Sequence, residues 1–127
     1  RRYTMKDFKN ADLTITVQKV GNTITMKWFG QSVAKDPTSE LSPYLQRVIA
    51  ESAGSQLIIK YNQLEFMNSS SVKVILQFIN GLNAAGITTT ITYNARVSWQ
   101  RLSFQALKTF ARRMEYVSIQ GDEVSAS

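Results

Sequence analysis

Three consecutive branched apolar residues, Leu57-Ile58-Ile59, stand between Gln56 and Lys60. A continuous run of this kind suits a strand covered on both faces, as in parallel sheets. Parallel strands cannot be joined by a tight hairpin and need crossover connections, usually helices. The flanking sequence supplies them. Before the run, Leu41, Tyr44, Leu45, Val48 and Ile49 recur at helical spacing, which predicts a helix over about 39–52. Pro37 and Thr38-Ser39-Glu40 read as its start and Gly54 as its end. After the run, Val72, Ile75, Leu76, Ile79 and Leu82 form a second stripe, which predicts a helix over about 70–84, closed by Gly86.

The remaining segments extend the pattern. Leu13, Ile15 and Val17 alternate with Thr14, Thr16 and Gln18, the mark of a half-buried strand. Gly21-Asn22 predicts a hairpin turn into a strand from Thr23 to Phe29, with Ile24, Met26 and Trp28 on one face. Ile87 to Tyr93 is β-branched and Thr-rich, again a strand. Ser98 opens a third helix with Trp99, Leu102, Phe104, Leu107 and Phe110 apolar along it, and Tyr116 to Ile119 reads as a last strand. The order is β-β-α-β-α-β-α-β. It predicts an α/β fold with a mixed sheet of about five strands and helices packed on it. Residues 1–11 read as a flexible basic segment, 12–120 as one domain and 121–127 as a disordered tail. A start at Arg1 rather than Met fits a chain cut from a longer protein.

The chemistry available is narrow. The 127 residues include no cysteine and no histidine. Disulfides, thiolate metal sites, thiol nucleophiles and a Ser-His-Asp triad are excluded. The nine acids are scattered, with no close carboxylate pair of the kind a hydrolase uses. The expectation is a protein that is not an enzyme and needs no cofactor or metal. No apolar run approaches the roughly 20 residues of a membrane span, so a cytoplasmic protein is expected. The net charge is +6, with basic clusters at Arg1-Arg2, Lys6 and Lys9 and at Lys108, Arg112 and Arg113. Neither an interleaving of basic residues with exposed aromatics nor a groove-reading motif is convincing in the sequence, so an acidic protein is a better expected partner than nucleic acid.

The stretch from Leu57 to Gly86, LIIKYNQLEFMNSSSVKVILQFINGLNAAG, resembles the centre of the STAS domain, the module of bacterial anti-sigma-factor antagonists. In that family a buried strand leads through a hydrophobic segment into Asp-Ser-Ser-Gly, then a helix, then a small-residue turn. The element order is similar as well. Three positions depart from the family pattern: Asn68 replaces the aspartate, Ser71 the glycine, and Lys60 the acidic or amide residue at the end of the preceding strand. The segment Asn68-Ser69-Ser70-Ser71-Val72-Lys73 is similar to the Asn-Thr-Ser-Ser-Ile-Lys segment of the SiaC-like branch. Proteins of that branch regulate a diguanylate cyclase and biofilm formation.

The resemblance implies a non-enzymatic partner switch controlled by reversible serine phosphorylation. By position, the phosphoacceptor is Ser69, with Ser70 as second choice. The implied partners are a GHKL-type serine kinase, a PP2C-type phosphatase, or a diguanylate cyclase. Asn68, Ser70, Ser71 and Lys73 are the implied partner-binding residues, joined by Lys35 and Asp36 in the loop before the first helix and by Arg96 after a strand at the same sheet end. Other readings stay open. The serines could serve only as helix caps, the protein could be an unphosphorylated interaction domain of a larger assembly, or the charge could serve a nucleotide- or nucleic-acid-binding domain.

Overall fold

The structure is a computed structural model that describes residues 5–123. Strand β1 (Phe8–Lys9) leads into the long hairpin of β2 (Leu13–Val20) and β3 (Thr23–Ser32). Helix α1 (Leu41–Glu51) follows, then β4 (Gln56–Lys60), β5 (Leu64–Met67), α2 (Ser69–Ala84), β6 (Thr89–Asn94), α3 (Ser98–Ala111) and β7 (Val117–Asp122). The sheet order is β1-β2-β3-β4-β6-β7, with β5 pairing the far end of β3. The hairpin strands are antiparallel, and β3, β4, β6 and β7 are mutually parallel. This is the predicted mixed α/β sheet, with seven strands rather than about five.

The two unpredicted strands are short. β1 lies inside the segment expected to be flexible, and pairs Phe8 with Ile15. Its Phe8 ring lies 5.2 Å from the Tyr44 ring, and the Tyr44 hydroxyl donates to the Lys6 carbonyl at 2.6 Å. These contacts order a stretch whose own sequence has no period. β5 resumes where β4 leaves the sheet, after a turn closed by Leu64 N–H on the Tyr61 carbonyl. At the other end, β7 runs through Gly121-Asp122, two residues assigned from sequence to a disordered tail; residues 124–127, like 1–4, lie outside the described residues.

The Leu57-Ile58-Ile59 run is covered on one face rather than two. Leu57 and Ile59 are buried with Ile15, Ile24, Met26, Trp28, Ile91 and Ile119, while Ile58 is half-buried. Alternate residues across the sheet, including Thr16, Thr25, Lys27, Lys60, Thr90 and Thr92, stay half or fully exposed. All three helices therefore cover the same side, and the fold has two layers. Between the layers Trp28, Tyr61 and Phe104 form a chain of rings at 4.9 Å steps, continued by Tyr93 at 5.3 Å from Phe104.

One glycine is needed where the hairpin curls. Gly30 has φ +86°, and a Cβ there would run into the carbonyl oxygen of Asp12. The β3–β5 register shifts between Gly30 and Gln31, so the strand bends at that point. The bend carries the end of β3, Ser32, to the start of α2.

Candidate functional site

The serine turn begins with Asn68, which sits in extended backbone (φ −84°, ψ 173°) as the N-cap of α2. Its Oδ1 accepts from the Ser71 N–H at 2.9 Å. Its own N–H donates to the Ser32 carbonyl at 3.0 Å, and its Nδ2 donates to the Ala34 carbonyl at 3.3 Å. One side chain thus caps the helix and ties the β3–α1 loop to it. The last of these bonds needs an amide, so an aspartate in this position could not make it.

The three serines separate by environment. Ser69 and Ser70 are exposed in the first turn. Helix geometry leaves their backbone N–H groups without an intrahelical partner, and the positive end of the helix dipole lies there. Ser71 is fully buried. Its hydroxyl donates to the Ser32 carbonyl at 2.9 Å and lies 2.6 Å from the Ser32 hydroxyl. Because the Ser71 proton is spent on the carbonyl, the Ser32 hydroxyl is the donor between the two. Ser71 is therefore a core residue that pins α2 to β3, and its expected place on the partner surface is corrected. The cap expected from the serines comes from Asn68 instead.

The other expected residues fall on the same end of the sheet to different degrees. Lys35 is exposed next to Ala34, and so is carried to the serine turn by the Asn68 amide. Asp36 is exposed, but its carboxylate is engaged locally by the Thr38 hydroxyl and, at 3.2 Å, by the Thr38 N–H. Lys73 is exposed four residues beyond Ser69, one turn along α2. Arg96 is exposed just past the end of β6, where its N–H donates to Asn94 Oδ1 at 3.0 Å.

The sequence reading missed an apolar patch beside the serines. Phe66 of β5 is 47% exposed and its ring lies 6.2 Å from that of Trp99 in the first turn of α3. Leu102, one turn further, is 66% exposed. The predicted apolar line along α3 puts Trp99, Leu102 and Phe110 with Phe104 and Leu107; Trp99 does pack half-buried against the core edge, but Leu102 and Phe110 are exposed. The buried line is instead Gln100, Phe104, Leu107 and Ala111. Nor does Ser98 cap that helix, since Val97 is the N-cap residue and no side-chain bond is made there. Among the described residues no group of three His, Cys, Asp or Glu could hold a metal ion. No described helix is long and apolar enough to cross a membrane.

Solved structures match this arrangement over most of its length. An anti-sigma factor antagonist from Mycobacterium paratuberculosis superposes with a TM-score of 0.60 at 12% identity, over 84% of this chain and 85% of that one. The chain has the STAS fold. The Bacillus cell-fate determinant SpoIIAA in its phosphorylated form matches with a TM-score of 0.55 at 18% identity, over 86% and 93% of the two chains. A chain of the complex between the diguanylate cyclase SiaD and its activator SiaC from Pseudomonas aeruginosa matches with a TM-score of 0.58 at 18% identity, over 91% and 98%. No protein-family model matches the chain, and no curated protein matches it. In this STAS fold the serine turn lies at the head of α2, after the strands that end in Ser32 and Met67.

Proposed function

We propose that the protein is a non-enzymatic, cytoplasmic partner-switch module whose binding surface surrounds the head of α2 and is controlled by phosphorylation of Ser69. The observation that carries the reading is the split within the serine run: Ser69 and Ser70 face solvent at a helix N-terminus, while Ser71 is locked to Ser32. A hydroxyl there is open to a kinase. A phosphate added to it meets unpaired N–H groups and the positive end of α2, with Lys73 one turn away. It brings about two negative charges and several acceptor oxygens. The fold has no need to rearrange. The partner loses, because a surface built against a neutral hydroxyl now meets charge and bulk.

The exposed Phe66 and Leu102, with the half-buried Trp99 against Phe66, support a protein partner, since apolar side chains grouped near the end of β5 that leads into the serine turn are what an interface buries. The partners that fit are a GHKL-type kinase with its PP2C-type phosphatase, or a diguanylate cyclase of the kind SiaC activates. Mass spectrometry of the protein isolated from its host is expected to find phosphate on Ser69, and Ser69→Asp is expected to lose the partner that Ser69→Ala keeps. Phosphate absent from residues 69 and 70 sinks the switch. One observation favours a second reading, an interaction domain without phosphorylation: Asn68 replaces the family aspartate and spends its side chain on the helix cap and the Ala34 carbonyl. That reading predicts equal partner affinity for Ser69→Asp and Ser69→Ala.

A further inference from the structure

The sheet face that no helix covers reads in rows set by the strand register. One row runs Thr16, Lys27, Lys60, Thr92, Gln120 across five strands. On the hairpin side the next row on this face is Lys9, Thr14, Phe29. Lys9, Lys27 and Lys60 are exposed, and Phe29 is half-buried. Neither row contains a carboxylate. Lys27 and Lys60 are direct partners on adjacent parallel strands, which run only about 4.8 Å apart. Like charges placed opposite one another destabilise a sheet. An anion spanning the pair would relieve this repulsion.

The surroundings favour one kind of anion. Ammonium groups beside the Thr16 hydroxyl offer donors for phosphate oxygens, whereas the Thr92 hydroxyl donates to Asn62 Oδ1 at 2.7 Å; the Phe29 ring in the neighbouring row offers an apolar face to a base. The surface is open and crosses several strands, which suits an extended single strand. An acidic protein would use the lysines and leave the ring idle. A membrane would require projecting apolar side chains in number, and this face supplies a half-buried Ile58 and, at the hairpin tip, an exposed Val20. Among the described residues of the basic clusters visible in the sequence, Lys9 lies on this surface; Lys27 and Phe29 share a face of β3, and Lys60 joins them through the β3–β4 register.

We propose that this open face binds single-stranded nucleic acid, with Lys9, Lys27 and Lys60 on phosphates and Phe29 against a base. The site is separate from the serine turn, and it stands or falls independently of the partner switch. Fluorescence anisotropy with a labelled oligothymidylate tests it on the full chain. Binding is expected in about 50 mM salt and is expected to weaken with a log–log salt slope near −2, at about 0.7 per phosphate contact. Lys60→Glu is expected to weaken binding by about tenfold or more. The same substitution creates a cross-strand ion pair with Lys27, so its thermal midpoint is expected to hold or rise, which separates lost binding from lost folding. Lys108→Glu, an equal charge change on α3 away from the face, is expected to retain binding. The proposal is overturned if the oligonucleotide does not bind at low salt, if Lys60→Glu binds as well as the parent, or if Lys108→Glu loses as much. It is also overturned if inorganic polyphosphate competes as well as the oligonucleotide, because then no base is recognised.

Discussion

Three neighbouring serines of one chemical type end in two different roles, and only the folded neighbourhood separates them. The motif itself was readable: a polar cluster ahead of an apolar helical stripe marks a helix start, and the flanking strand and helix carry the STAS resemblance. The burial of Ser71 was not, because its partner Ser32 lies 39 residues earlier and is brought in by the bend at Gly30. This split is measurable. Ser71→Ala removes a buried donor and leaves Ser32 short of its partner, so urea denaturation should show a loss of about 1–3 kcal/mol. Ser69→Ala, at an exposed position, should change stability by no more than about 0.5 kcal/mol. Tyr61 gives a second residue-scale prediction. Burial alone pushes its hydroxyl well above the ordinary tyrosine range, and that hydroxyl has no hydrogen-bond partner. Above pH 10.0, the ordinary value, the unfolded phenol ionises and the buried one does not. The unfolded state then binds fewer protons than the folded one, and stability falls by up to about 1.4 kcal/mol per pH unit. Tyr61→Phe removes that contribution and deletes an unsatisfied polar atom. Its stability at neutral pH is expected to match or exceed the parent's, and its alkaline loss to be shallower, both read from denaturation curves across pH.

At the scale of elements, period and composition located every strand and helix of five residues or more, because each buries one face and repeats accordingly. β1 and β5 escaped, since two and four residues are too few to show a period; β1 exists by pairing with the next strand, β2, and β5 by pairing with β3, far earlier in the chain. Helix α3 shows a different kind of miss. Two apolar lines run along it, and the one anchored by Phe104 is completed inward by a polar residue. Gln100 is buried, its Oε1 accepts from the Asn94 N–H at 2.7 Å, and its Nε2 donates to the carbonyls of Tyr61, Asn62 and Leu64 at 3.0, 3.2 and 2.9 Å. It fills the gap where β4 leaves the sheet before β5, a place where backbone groups have lost their ladder partners. No hydropathy pattern can reveal an amide that is buried to satisfy backbone. Gln100→Leu keeps the bulk but takes the Gln100 acceptor from the Asn94 N–H and strips a donor from three carbonyls, while the Tyr61 carbonyl keeps the Leu64 N–H. The expected loss is about 2–4 kcal/mol in chemical denaturation, with Gln100→Glu no better because it removes the donors that the carbonyls need.

At the scale of the whole molecule, the two-layer design separates what must stay rigid from what can change. The parallel strands β3, β4 and β6 share one buried face with the ring chain from Trp28 to Tyr93, whereas Ser69, Ser70 and Lys73 are exposed on the first turns of α2. A charge placed on Ser69 therefore acts on the surface and on the dipole of α2. Ser69→Asp should leave the fold intact and shift stability by about 0.3–1 kcal/mol in the favourable direction, as an acid at a helix N-terminus does. Hydrogen exchange tests this directly. Protection in β3, β4 and β6 should be the same for Ser69→Asp and the parent, because those amides exchange through global unfolding. Any change should be confined to the first turn of α2 and the 33–36 loop that Asn68 ties to it. Loss of protection deep in the sheet would mean that a charge on Ser69 loosens the core, and the separation of rigid sheet from surface serine turn would be wrong.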